Sequence, residues 1–486
     1  EIKSYSESGV FLELQDIVYV EYDKFGNATD QTIATYADLN RQKLVDYKVL
    51  KNTYANEAAQ KRGNASLTQS WKYNAIDPAS RQLVDYTVTN TTVFDLRGNA
   101  VRQTVDTYVG GKTDGFLSSR RAIYNIGIDN RGDAATQEVT AYQTDKTGLA
   151  STLGVVSFQV LTNREYDSQH NILNQNIFTY TDAAKATLLD VQEIRNIGYH
   201  TSGVALQQVI ATYSANETNN GKGQLLDVKV ILNEDIASSG NVGKTTITKY
   251  SDCVIAALGA GAITVDPAKA IDKQVITTTE FDLRGNALTQ NVRREYYDKT
   301  TSAFKFSESQ VITNTGYDLH DRAHNAEIKS YSESGVFLEL QDIVYVEYDR
   351  FGNATDQTIA TYADLNRQEL VDYKVVKNTY ANEAAQKRGN ASTTQAWKYD
   401  AIDPASRQLI DYTVTETTEF DIRGNAVRQT VDTYVGGETD GFLSSRREIH
   451  NIGIDNRGDA ATQEVTVYQT DKTGLASTLG VVSSQV

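Results

Sequence analysis

The chain has 486 residues, with 47 Lys and Arg against 63 Asp and Glu for a net charge of -16, 29 Tyr, a single Cys and no Met. That acidic balance argues against a nucleic-acid footprint and against an anionic membrane patch, both of which need clustered Lys and Arg. One thiol, Cys253, excludes an intrachain disulfide and a cysteine-rich metal site, and no apolar run approaches the ~20 residues of a membrane span, so no membrane insertion is expected.

Read from the first residue, the chain is punctuated by one recurring marker: an aromatic, Asp, two variable residues, Gly and Asn. It stands as Tyr22, Asp23, Gly26 and Asn27, then as Phe94, Asp95, Gly98 and Asn99, and again as Phe281, Asp282, Gly285 and Asn286. A weaker form carries Asp129, Gly132 and Asp133. The segment after each marker is rich in Thr, Val, Ile and Tyr, lacks Pro and alternates. Examples are 28–36, 100–108, 134–142, 172–180 and 205–213, all predicted as strands. A second strand precedes each marker, as at 192–199 and 310–317.

The marker has the chemistry of a tight reversal. Asp accepts hydrogen bonds from amides two residues on, and Gly takes the positive φ that closes a type I turn with a glycine bulge. Each unit is therefore one hairpin. Its other end joins through loops of variable length, the longest at 251–273.

Taking the last residue of each marker, units close at Asn27, Asn64, Asn99, Asp133, Asn171, Val204, Asn241, Asn286, Asn325 and Asn353. The nine intervals run from 28 to 45 residues and together span 326. That is also the period of a longer repeat: residues 1–160 recur as 327–486 with 15 of 160 positions changed, among them Lys24 to Arg350, Val84 to Ile410 and Tyr124 to His450. The second copy keeps the markers as Asp349 with Gly352 and Asp421 with Gly424. The organisation expected is a first long repeat of nine hairpins over 1–326 and a partial second copy over 327–486. A chain that stops inside its second copy reads as a window on a longer array.

The turn fixes a register. If Asp and Asn flank the turn, the residue four before Asp faces the residue four after Asn, which pairs Asn125 with Gln137, Asn163 with Gln175 and Asn196 with Gln208. Two positions further out the rule pairs Ile123 with Val139, Leu161 with Ile177 and Ile194 with Ile210, on the same face as the amides because side chains alternate. That amide and aliphatic face is expected to be the more buried one. The opposite face sets the marker aromatic across from a small Ala, as Phe94 with Ala100. Seven Tyr, at 36, 73, 108, 142, 180, 213 and 250, lie at far strand ends, placed either for contacts between turns of the assembly or for packing on their own loops.

At these turn residues the sequence resembles the YD-repeat family of bacterial Rhs proteins and teneurins, whose units also centre on Tyr, Asp, two residues and Gly. Family units are shorter and carry Arg where Asn27, Asn99 and Asn286 stand here. The resemblance implies consecutive antiparallel hairpins in one spiralling sheet, and a shell around a toxin.

Little points to chemistry. The five His do not cluster, and the Asp-rich turns lack the alternating oxygen ligands of a calcium loop, so neither metal nor cofactor is expected. No nucleophile elbow, phosphate loop or dinucleotide fingerprint occurs. Arg131-Gly132-Asp133 spells an adhesion tripeptide but stands where other units have Arg-Gly-Asn, which makes it a turn variant. The fold class expected is all-β: tandem antiparallel hairpins, two strands per unit, in a continuous, spiralling or tubular sheet. The function expected is structural rather than enzymatic, an extracellular or cell-surface fibre, tube or sheath that associates with itself. The alternatives are a toxin-carrying shell module and a stalk presenting an adhesin.

Overall fold

A computed structural model describes residues 1–5, 11–110, 115–216, 221–255, 263–436, 441–455, 457–471 and 473–486. The chain is 64% strand and 5% helix. Among the described residues 28 strands form one antiparallel sheet, each hydrogen-bonded to its sequence neighbours, and the sheet is not closed into a barrel. At one edge Ile2–Tyr5 pairs with Phe11–Tyr22, and at the other Gly480–Gln485 pairs with Ala460–Gln469. The junction of the two long repeats falls inside a strand, Asn325–Tyr331, which pairs on both sides, so the copies are continuous in the sheet.

The markers are the hairpin turns. In the first, Asp23 Oδ1 accepts from the amides of Phe25 (2.9 Å) and Asn27 (3.0 Å), Oδ2 accepts from the Asn27 side chain (2.7 Å), and Gly26 sits at φ 85°. The same set recurs at Asp95 with Asn99, Asp282 with Asn286, Asp349 with Asn353 and Asp421 with Asn425. Asp129 holds the amides of Arg131 and Asp133 in the same way. Gly98, Gly132, Gly285, Gly352 and Gly424 lie between φ 89° and 94°, a region that Cβ-bearing residues rarely enter. Across each turn the aromatic faces the small residue, as Phe94 with Ala100 and Phe281 with Ala287.

Two units use a different device. Before Asn64 the chain forms a six-residue helix, Glu57–Arg62, capped by the Asn56 side chain and ended by Gly63 at φ 70°, and the second copy repeats it as Glu383–Arg388. The long segment at 251–273 holds a two-stranded ladder, Val254–Ile255 with Ile263–Thr264, and a 3-10 turn, Pro267–Lys269.

The expected faces are corrected by the packing. The main core cluster gathers Phe158, Tyr180, Val191, Val209, Ala211, Tyr213 and Val228, with Val191, Ala211 and Val228 fully buried. By the ladder these share the face opposite Gln208 and Ile210, since Val191 faces Tyr213 and Ala211 faces Val228. Cover decides the outcome: Cys253, Ile255, Ile263 and Val265 of the long loop pack on that face. The amide face is half-buried, although Ile194 and Val139 are buried on it.

The ribbon also coils. Residues about 200 apart meet: Lys387 Nζ donates to Thr181 O (2.5 Å), Arg423 Nε to Leu226 O (3.3 Å), and His320 Nε2 lies 3.4 Å from Thr144 Oγ1. In each pair one partner belongs to a marker turn or, for Lys387, to the short helix that replaces one, and the other lies toward the loop end of an earlier hairpin. Eleven strands separate Thr181 from Lys387, so one coil holds about that many.

Candidate functional site

Two repeated constellations stand out, an amide relay within the ribbon and a seam between coils. In the relay Gln137 Nε2 donates to Asn125 Oδ1 (2.7 Å) and Asn125 Nδ2 donates to the carbonyl of Ala100 in the preceding unit (2.9 Å). Gln208, Asn196 and Ile172 O repeat it at 2.8 and 2.8 Å, and Gln463, Asn451 and Ala426 O at 2.8 and 2.9 Å. Where Gln is replaced, Thr245 donates to Asn233, which again reaches Ala205 O. The relay ties these hairpins to the ones before them, just beyond the last ladder pair on the turn side, as at Arg102 with Tyr124. Gln175 faces Ile194 in the next strand, and among the described residues its buried Oε1 has no hydrogen-bond partner. The side chain of Asn163 lies outside the described residues.

The seam is built from a signal that the turn motif does not contain: two apolar residues followed by Asp at the start of the strand after a loop or, at 225–227, beside a bulge within it. It reads Leu83-Val84-Asp85, Leu188-Leu189-Asp190, Leu225-Leu226-Asp227 and Ala270-Ile271-Asp272, and again Leu370-Val371-Asp372 and Leu409-Ile410-Asp411. Turns of the following coil lie over the first four of these triplets. Their cations act on them: Arg284 on Asp85, Arg388 on Asp190 and Arg457 on Asp272. Burial dominates, pushing all three carboxyls above the usual range; Lys72 and then Arg284 oppose it at Asp85, the Thr179 hydroxyl and then Arg388 at Asp190, and Lys249, Lys229 and then Arg457 at Asp272. Val84, Leu189 and Ile271 are 5 to 7% exposed.

The turn carboxylates behave in the opposite sense. The Asn99 side chain and its amide hold Asp95 below the usual range, and the amide of Asp133 does the same for Asp129. These charges are spent on turn geometry and are not offered to a ligand.

The remaining candidates are absorbed by structure. Asp133 of the Arg-Gly-Asp turn has a 9% exposed side chain and lies 2.8 Å from His170 Nδ1 in the next turn, and Arg131 donates to Asp167 O. His320 is pushed below its ordinary value by burial and lies 3.1 Å from Arg322 Nη2. Among the described residues no three His, Cys, Asp or Glu come together as a metal site. Burial raises the Cys253 thiol. The Tyr row packs within the ribbon, Tyr108 on Tyr86 (5.4 Å), Tyr73 on Tyr47 (6.3 Å) and Tyr180 on Phe158 (6.3 Å). No described helix is long and apolar enough to cross a membrane.

No family model matches the chain, and no curated protein is similar to it. Solved structures with some likeness include a TcdB2–TccC3 crystal structure, at 12% identity and TM-score 0.17 over 94% of this chain and 33% of that one. A Tc holotoxin pore of Photorhabdus luminescens matches at 11% identity and TM-score 0.13 over 100% of this chain and 26% of that one. The chain spans between a quarter and a third of the length of these proteins, at TM-scores too low to carry an argument.

Proposed function

We propose that the chain is a structural protein, a coiled β-ribbon that builds a tube, fibre or sheath outside the cell or at its surface and has no catalytic role. The observation that carries this reading is the seam. A turn or short helix of one coil donates to backbone carbonyls of the previous coil, Arg423 to Leu226 and Lys387 to Thr181, and a repeated sequence can make such contacts in successive units. The chain devotes its length to repeating a few residues, whereas catalysis needs unlike groups brought to one place.

A second reading takes the ribbon as the wall of a shell around cargo, and the coil's dimensions bear on it. Eleven strands at ~4.8 Å, tilted by ~40°, make a perimeter of roughly 70 Å and a backbone diameter of about 22 Å. A folded 100-residue domain has a radius of gyration of ~13 Å, hence a diameter of about 34 Å. A coil this narrow admits an extended segment rather than a folded domain. Electron microscopy of the purified chain tests the choice. The structural reading expects rods with an axial step of about 30 Å per coil, from strands of ~12 residues at ~3.3 Å each tilted by ~40°. Closed particles with no axial repeat would refute it and favour the shell.

A further inference from the structure

Where the ribbon passes over itself at 144 and 320, the contact between coils is made by an imidazole. His320 stands two places after the turn residue Asp318, a place that Arg97, Arg131, Arg284, Arg423 and Arg457 hold in other turns. Arg423 reaches Leu226 O across the coils with a charge that it keeps at any ordinary pH. His320 makes its own cross-coil contact with a group that can change charge.

The neighbours fix the neutral form of the ring and its tautomer. Thr144 is 2% exposed and its hydroxyl donates to Leu117 O (2.5 Å), so towards His320 Nε2, at 3.4 Å, its oxygen accepts. The Ser118 carbonyl beside the ring is an acceptor as well. Nε2 therefore carries the hydrogen. On the other side Arg322 Nη2, a donor only, lies 3.1 Å from Nδ1, which must accept. Arg322 is held in place: Nε donates to Asp318 Oδ2 (2.8 Å), Nη1 donates to Asp349 O of the next turn (2.8 Å), and the guanidinium lies 4.8 Å from the centre of the Tyr348 ring. A proton on Nδ1 would set N–H against N–H and cation against cation, so the ring must turn away from Arg322, taking Nε2 away from Thr144.

The carboxylates around the ring are committed elsewhere. Asp318 accepts from Arg322 and from the amides of His320 and Arg322, Asp321 accepts from Arg284 and Asn286, and Asp145 caps the Thr147 amide. Lys146, His324, Glu347, Asp349 and Arg350 line the cavity beside the contact together with Asp145, Asp318 and Arg322, and Asp349 caps its own turn. We propose that His320 is an acid-sensitive latch between coils: neutral, it joins Thr144 of one coil to Arg322 of the next, and protonated, it lets the coils part at this point. Burial, helped by Arg322 and opposed by Asp318, the Ser118 carbonyl and Asp321, holds the imidazole below its ordinary value of 6.5. The stabilisation is then complete above pH 6.5 and is lost as pH falls from there through the folded-state value. The contact lies outside the Asp85, Asp190 and Asp272 triplets, whose response to acid has the opposite sign. The latch follows from the coiling itself and holds whether the ribbon builds a fibre or a shell.

Two measurements on the full chain test it. Deuterium uptake at the imidazole carbon between the ring nitrogens, read by mass spectrometry, gives the titration of each His. Trypsin separates the two neighbours, because cleavage at Lys305 and Arg322 leaves His320 as the one His of 306–322 and places His324 in 323–329. His320 is expected to titrate below pH 6.5. Backbone exchange of 116–128 and 316–324, corrected for intrinsic rates and compared with 221–236 under the Arg423 contact, is expected to rise between pH 7.5 and 5. The rise should be tenfold for each unit by which the His320 midpoint falls below 6.5. His320→Gln, which stays neutral, is expected to lose this response, and His320→Arg should show at pH 7.5 the exchange that the unaltered chain shows in acid. A His with a merely structural role would give exchange that does not follow its own titration. A His320 midpoint at or above 6.5, or an acid rise that persists in His320→Gln, would overturn the proposal. Should His320→Gln lose the far-ultraviolet signature of the unaltered chain, His320→Asn repeats the comparison, and the imidazole titration decides without any variant.

Discussion

The amide relay can be tested at a single residue. Asn125→Ala removes the acceptor of Gln137 and the side-chain donor to Ala100 O, contacts of 2.7 and 2.9 Å. Each is a neutral hydrogen bond on a half-buried face, with a net value of about 0.5–1.5 kcal/mol, so the pair is expected to contribute about 1–3 kcal/mol. Because a repeat array need not unfold in one step, the cost is best read locally by native-state hydrogen exchange. Peptides from Ala100–Val109 and Ala134–Gln143 should exchange roughly 5–150-fold faster, the ratio that such a free energy implies. The change should fade a few hairpins away. Asn451→Ala, whose bond from Gln463 is solvent-exposed, should have a smaller effect in its own peptides. Unchanged protection around Asn125 would refute the relay as a stabilising device and leave backbone pairing as the whole connection between units.

Three further outcomes follow from the geometry. Gly98→Ala should destabilise more than Gly26→Ala: both leave Ala at positive φ, but the new Cβ at Gly98 lies 2.6 Å from Asn64 Oδ1 while that at Gly26 meets nothing within 4 Å; equal thermal midpoints would refute this. Leu117→Ala, at a side chain 2% exposed, should cost about 2–5 kcal/mol in denaturant unfolding, and a loss below 1 kcal/mol would mean that the site collapses around the gap. The turn carboxylates Asp95, Asp129 and Asp167 have folded-state pKa values below their unfolded value of 3.8, so their contribution is present above that pH and is lost as pH falls through the folded values. The seam carboxylates Asp85, Asp190 and Asp272 are raised, so their protonation favours the folded state as pH falls; exchange measured down an acid series should open turns before seams, and the reverse order would refute the assignment.

Hairpins and their register were legible because they depend on residues close in sequence. Asp23, Gly26 and Asn27 specify a turn within five positions, and counting four outward from Asp129 and Asp133 gives Asn125 facing Gln137. The more buried face was not legible from alternation. A period of two sorts side chains into two sets but does not say which set is covered, and the cover over Val191 and Val228 comes from Cys253, Ile255 and Ile263 in a distant loop. The helix Glu57–Arg62 has its signals in Asn56 and Gly63, yet six residues are too few to display an apolar period. The seam triplets were visible as a recurring string but had no meaning until coiling brought Arg284, Arg388 and Arg457 over them. Those contacts span about 200 residues, and no local pattern sets that distance.

The acidic composition has a structural origin in this arrangement. Most units carry one Asp as the acceptor at the centre of the turn, and many carry another at the start of a strand. The turn Asp must be an anion to accept two amides and a side-chain amide at once, since a protonated carboxyl would give up part of that capacity. The strand-entry Asp is largely buried, which raises its carboxyl, and cations of its own ribbon such as Lys249 beside Asp272, together with a turn Arg of the next coil, act against that shift. The net charge of -16 is the excess left once such cations are counted, distributed along the ribbon by the repeat itself.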